Sequence, residues 1–191
     1  AATITNDGIT ISYEGEVVQS DVARMEEMLD NTGIKTVFLD SPGGNAMTGY
    51  QLGYLFHDKG IRLVIGGDAS CFSACAIAFL GGEERTKLGL LGFHVAWTTN
   101  TESMSEGMKQ GQVYGTITAA YFFRMGYSLQ LPYMISMYTD KDTFLMLDVK
   151  DLNMFKLESM EDFIELKDLP PLWASNRIAG PMRRELMIRG M

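Results

Sequence analysis

The chain has 191 residues, 46% of them hydrophobic and 21% charged, with 20 Gly and only 5 Pro. That is room for one ordinary domain around one core, and it argues against two complete enzyme domains, long disorder or a low-complexity polymer. Sixteen Lys and Arg against 24 Asp and Glu leave a net charge of -8, which works against a nucleic-acid or anionic-membrane footprint.

Alternation through Ile9-Thr10-Ile11-Ser12-Tyr13 reads as a strand, with Gly15 and Val17-Val18 as its continuation or hairpin partner. Ser20 or Asp21 can cap a helix carrying Val22, Met25 and Leu29 on one face, and Asn31-Thr32-Gly33 stops it. Thr36 to Leu39 is short, apolar and β-branched, like a buried parallel strand, and runs into the turn Asp40-Ser41-Pro42-Gly43-Gly44. A helix with Met47, Tyr50, Tyr54 and Leu55 ends at Lys59-Gly60; a buried strand follows over Ile61 to Ile65. Ser73 to Leu80 reads as a small-residue helix closed by Gly81-Gly82, and Leu88 to Phe93 as the next strand. This alternation predicts an α/β domain with a parallel sheet and right-handed crossovers.

Ser103 to Arg124 predicts a long helix in which Gly107, Gly111 and Gly115 recur at four-residue spacing, a pattern that close helix contact would explain. A helix over about Leu129 to Tyr138 and a strand over Thr143 to Leu147 follow. Pro170-Pro171 marks a boundary between a main domain, 1-169, and an extension, 170-191, which Trp173 and Ile178 can anchor to the main body or to a neighbour. The longest apolar stretch, Ala74 to Leu80, falls short of the roughly 18 to 20 residues of a membrane span, so the mature chain is expected to be soluble. It starts Ala1-Ala2, which permits a removed signal peptide, and compartment is poorly constrained.

In an open parallel sheet, sites form in the turns after strand carboxyl ends, here the turns holding Gly43-Gly44, Asp68 to Ser73, and His94. A Gly-Gly turn lets a backbone N–H face a ligand, as an oxyanion site needs, and is equally the sequence of a plain tight turn. Ser73 opens a helix behind a turn, where its hydroxyl and the Ala74 N–H favour developing negative charge; the plainer role is an N-cap. No Gly-x-Ser-x-Gly elbow is present. His94 ends a strand, a suitable place for a general base, and Asp142 can orient its imidazole. His57 lies near a helix C-terminus, where a structural role suffices. Cys71 and Cys75 have no second Cys or His pair nearby and so make neither a disulfide framework nor a zinc site. They read as small buried packing residues or, at a helix N-terminus, as a thiol nucleophile.

Taken in order, Leu39-Asp40-Ser41-Pro42-Gly43-Gly44, Ser73 with Ala76 and Gly82, Gly92-Phe93-His94, Met125-Gly126-Tyr127-Ser128-Leu129 and Asp140-Lys141-Asp142-Thr143-Phe144 resemble the ClpP family over about residues 9 to 155. The Cys71-Phe72-Ser73-Ala74-Cys75 segment is similar to divergent members, some exported and some phage-borne. The resemblance implies a ClpP/crotonase-like fold of repeated β-β-α units with a protruding handle helix. It also implies a serine endopeptidase in a ring-shaped homo-oligomer, of heptameric rings that can stack. Ser73 would be nucleophile, His94 base and Asp142 the orienting carboxylate, with Gly43, Gly44 and Ala74 as oxyanion-hole donors and Asp140 and Lys141 as ring contacts. No cofactor and no metal are expected, and the partners are peptide or unfolded protein. The stretch before Ile9 lacks the family's extended arm, which argues against an AAA+ unfoldase partner. A cytoplasmic location, which includes that of a phage-encoded protein, is preferred to a periplasmic one. The alternative is a catalytically silent ClpP-like subunit with an assembly or scaffolding role.

Overall fold

The computed structural model describes residues 1–96, 103–159, 173 and 176–179. In chain order the strands are β1 (Thr3–Asn6), β2 (Ile11–Glu14), β3 (Thr36–Asp40), β4 (Arg62–Ile65), β5 (Ser70–Phe72), β6 (Glu84–Lys87), β7 (Leu90–Phe93), β8 (Phe144–Met146) and β9 (Ile178–Ala179). The helices are α1 (Asp21–Thr32), α2 (Ala46–Asp58), α3 (Ala74–Phe79), α4 (Met104–Arg124), α5 (Gln130–Tyr138) and α6 (Val149–Asn153).

Two sheets result. The first runs β1-β2-β3-β4-β6, parallel from β2 onward with β1 antiparallel at the edge; the second runs β5-β7-β8-β9, with β5 and β7 parallel and the rest antiparallel. The single parallel sheet expected from the alternation is therefore two, because the chain crosses from β4 to β5 and from β6 to β7 within a few residues. Each crossing is followed by a helix, which makes the repeated β-β-α unit of a ClpP-like fold.

Along β3 and β4 the inward positions Val37, Leu39, Leu63 and Ile65 are buried, whereas Phe38 is exposed, so β3 carries one solvent-facing side. The covered face shares one core with Met25 and Leu29 of α1, Leu52 and Phe56 of α2, and Ala76 and Phe79 of α3. Helices α2 and α3 approach closely, and a Cβ on Gly49 would lie 2.5 Å from the Ala74 carbonyl oxygen. Asp21, at the start of α1, is fully buried and accepts from the Tyr13 hydroxyl at 2.8 Å and the Val18 N–H at 2.9 Å, so it stitches the helix to β2. Gly33 ends α1 in the left-handed region at φ 66°, as the stop signal predicts.

The long helix α4 buries only Tyr121 and Phe122, both in its last turn. Tyr121 anchors it, with its hydroxyl donating to the Ile77 carbonyl at 2.6 Å and its ring edge-on to Tyr50 and Tyr54. The preceding turns form the protruding handle. Beyond the expected boundary, whose junction at 169/170 lies outside the described residues, β9 pairs with β8 and Trp173 packs edge-on against Phe155 at 5.7 Å. Arg177 reaches Asp151 at 2.7 Å. Trp173 and Ile178 thus hold this part of the chain to its own body. No helix among the described residues is long and apolar enough to cross a membrane.

Candidate active site

Strands β5 and β7 are parallel neighbours with Phe72 opposite Gly92. They therefore deliver the residues just past their ends, Ser73 and His94, to the same edge of the second sheet. Gly92 permits this close pairing, since a Cβ there would lie 2.6 Å from the Phe72 ring and 2.9 Å from Met146 Sδ. The Nε2 of His94 lies 2.6 Å from Ser73 Oγ.

Ser73 sits between the end of β5 and the start of α3 at φ 56°, and it is the one non-glycine residue with positive φ among the described residues. Such a conformation costs about 1–3 kcal/mol and persists only where surroundings over-determine it. Here its N–H donates to the Gly92 carbonyl at 3.0 Å and its own carbonyl accepts from Ile77 N at 3.1 Å. The side chain makes no N-cap hydrogen bond, so the plainer role open to this serine is not the one it performs.

Cys71 and Cys75 are joined by a disulfide across this elbow. This corrects the expectation of two packing thiols, and it removes a thiol nucleophile from the site. Two residues four apart within one structural element do not pair readily. The sharp turn at Ser73 brings their Cα atoms to 5.2 Å, inside the range a disulfide spans.

The turn after β3 is stitched to β5. Ser41 N donates to the Ser70 carbonyl at 2.7 Å, Phe72 N to the Ser41 carbonyl at 3.0 Å, and Ser70 N to Asp40 Oδ1 at 2.9 Å. Gly43, at φ 94°, lies so near the elbow that a Cβ on it would be 2.6 Å from Ser73 Cβ. Its N–H is engaged by Ser41 Oγ at 3.0 Å. Gly44 and Ala74 line the cavity in front of Ser73.

The His94 imidazole packs on Phe144 with centroids 4.7 Å apart, and its Nδ1 lies 3.3 Å from the Asp140 carbonyl oxygen. With Nδ1–H directed at that carbonyl, Nε2 is left as an acceptor for a serine hydroxyl. The Asp140 carboxylate closes its own turn, accepting from the Asp142 N–H at 2.8 Å, the Thr143 N–H at 2.9 Å and the Thr143 hydroxyl at 3.0 Å. These bonds, the Asp142 N–H first and the Thr143 hydroxyl next, hold its carboxyl below the usual range. The Asp142 carboxylate pairs with Lys141 Nζ at the protein surface. The structure thus brings Ser73, His94, Gly44 and Ala74 together. It lays the Asp140–Thr143 turn beside the imidazole and points the Asp142 carboxylate at its neighbour Lys141. His57 is exposed in the last turn of α2.

Thr139 is a residue that sequence reading missed. Its hydroxyl donates to the Ile135 carbonyl at 2.6 Å and accepts from the Val95 N–H at 2.9 Å, tying the segment after His94 to the end of α5. A cavity of about 880 Å³ opens in front of Ser73, walled by α4 through Gly107, Gly111 and Gly115 and by α5 through Tyr133 and Ser136. No Asp, Glu, Lys or Arg lines it among the described residues. Those same described residues hold no group of three or more His, Cys, Asp or Glu that could bind a metal ion.

No protein-family profile and no curated protein matches the chain. Solved structures do. A serine-to-alanine mutant of 1510-N, a membrane-bound stomatin-specific protease, superposes with a TM-score of 0.53 at 12% identity, over 88% of this chain and 82% of that one. A mutant of ClpP1 from Listeria monocytogenes gives a TM-score of 0.53 at 18% identity, over 83% of this chain and 96% of that one. The fold is that of ClpP-like proteins.

Proposed function

We propose that the chain is a ClpP-like serine endopeptidase that hydrolyses peptide bonds in a ring-shaped homo-oligomer, with peptide or unfolded protein as substrate. The observation that carries this reading is the 2.6 Å approach of His94 Nε2 to Ser73 Oγ at a strained strand-to-helix elbow. Fold neighbours that are proteases support it.

In the reaction, His94 Nε2 takes the Ser73 proton as Oγ adds to the peptide carbonyl carbon. The carbonyl oxygen becomes an oxyanion, which the N–H groups of Gly44 and Ala74 stabilise while Gly43 holds the turn in place. His94 then gives the proton to the leaving amine, and the acyl-serine is released by water along the reverse route. Asp142 is assigned to orient and stabilise the imidazolium. In the isolated chain its carboxylate is on Lys141; in the ring, Asp140 and Lys141 contact the neighbour, which draws the ammonium away and frees Asp142 for Nδ1. The Asp140 carbonyl holds the tautomer until then.

The test is hydrolysis of an unstructured protein by the assembled chain. Wild type should cleave, and Ser73→Ala and His94→Ala should each lose about 10⁴-fold or more in rate. Absence of cleavage by wild type of confirmed ring size favours the silent, scaffolding subunit. A monomer by light scattering removes the ring.

A further inference from the structure

The Ser73 elbow carries one covalent feature that the hydrolytic steps do not use. The chain's two cysteines are joined to each other, Cys71 in β5 and Cys75 in the first turn of α3, with Ser73 midway between them. Both are buried. Stabilisation by loop closure grows with the length of the loop, and a bond spanning four positions stands near the weak end of that scale. Its contribution to the whole fold is therefore small, and its constraint is local. What it encloses is the one strained non-glycine residue among those described.

Cys71 is fixed from both sides, pairing with Leu91 on β7 and bridging to Ser41 from the turn after β3. The disulfide carries that fixed position over the elbow to the first turn of α3, where the Ala74 N–H lies. We propose that Cys71 and Cys75 are positioning residues whose bond holds Ser73 Oγ on His94 and Ala74 N–H on the oxyanion. This rests on the reading of Ser73 as nucleophile.

Reduction by a dithiol breaks the bond. Two electrons and two protons pass to the sulfurs, two thiols form, and the dithiol closes into its own disulfide. Freed of the link, the Ser73 backbone relaxes toward an ordinary turn and Oγ leaves Nε2.

The experiment uses a fluorophosphonate probe on the assembled full chain and separates the maximal inactivation rate from the probe's affinity. It is run on oxidised protein, on protein reduced with dithiothreitol, on the same sample re-oxidised, and on Cys71→Ala/Cys75→Ala. Alkylation followed by intact mass reports the thiol state. The maximal rate should fall at least about tenfold on reduction, with affinity nearly unchanged, because small misplacements of reacting atoms act on the chemical step. It should recover on re-oxidation. The double variant should match the reduced protein and ignore dithiothreitol; if it does not fold, the reduction and re-oxidation cycle decides alone. Equal labelling with and without the bond, a change in affinity only, or free thiols in air-oxidised protein overturns the positioning role and leaves the peptidase reading standing. No labelling of the oxidised protein overturns both.

Discussion

A Cβ built on Gly43 would lie 2.6 Å from Ser73 Cβ, and one on Gly49 would lie 2.5 Å from the Ala74 carbonyl, whereas nothing lies within 4 Å of a Cβ on Gly111 or Gly115. At the elbow, glycine is required because backbones meet. On α4 it opens space over the cavity. The same residue type thus has opposite physical reasons in two regions that face each other across one site, and its spacing in the sequence does not distinguish them. The elbow is built by the fold: buried, strained and cross-linked. The opposite wall and the Asp140–Thr143 turn are exposed, and they are the parts that a neighbour would complete in the proposed ring.

The largest effect that bears on this contrast is at Asp142. If Asp142 takes the role proposed for it, Asp142→Asn in the assembled protein should lower the maximal rate by about 10³- to 10⁴-fold, with KM little changed, because the imidazole would lose its preferred tautomer and its charge partner. Steady-state kinetics checks it, and an unchanged rate removes Asp142 and leaves the Asp140 carbonyl as the orienting group.

Gly43→Ala comes next. The methyl group would push on Ser73 and must adopt φ 94°, so stability should drop by about 2 kcal/mol and hydrolysis should fall with it. Thermal melts and rates measure both. An unaltered protein would mean that the elbow is looser than described.

The pH profile separates the two walls. The Asp140 carboxyl is held low by the Asp142 N–H and then by Thr143. A depressed pKa gives support that is present above the unfolded value and lost as pH falls through the folded one, so the turn should stay closed until below the ordinary aspartate range. A general base acts only when unprotonated, so hydrolysis should show an acid limb as pH falls, with the turn still intact. A flat rate from about pH 5 to 8 removes His94 as base.

The smallest effect is on the handle. Gly111→Ala meets open space and should stabilise α4 by up to about 1 kcal/mol, read as a higher melting temperature. Destabilisation would show that a neighbour packs there.

Much of the fold is legible in the sequence because its central elements have strong periods: β3, β4 and β7 are apolar runs, and α2 and α4 carry clear caps in Asn45 and Ser103. The edges are not. Glu84-Arg85-Thr86-Lys87 has no apolar alternation and becomes β6 only by pairing with β4, while β5 and β9 are too short to show a period and β1 carries a single apolar residue, Ile4. Ser73 and His94 could be proposed together because Ser73 opens a small-residue helix behind a turn and His94 ends an apolar strand. The disulfide was hidden, since Cys71 and Cys75 pair only where the strand-to-helix break falls between them. The direction of the Asp142 carboxylate was hidden for another reason. A surface carboxylate beside Lys141 chooses its partner by rotamer and by what a neighbour offers, and neither is written in local sequence.

The central claim is that Ser73 Oγ is the nucleophile. It is tested most directly by incubating the assembled, oxidised protein with a fluorophosphonate and mapping the adduct by mass spectrometry of the peptide that carries Ser73. One adduct per chain on Ser73, absent in Ser73→Ala and suppressed in His94→Ala, is the expected result. No adduct, or an adduct on another residue that persists in Ser73→Ala, would contradict it.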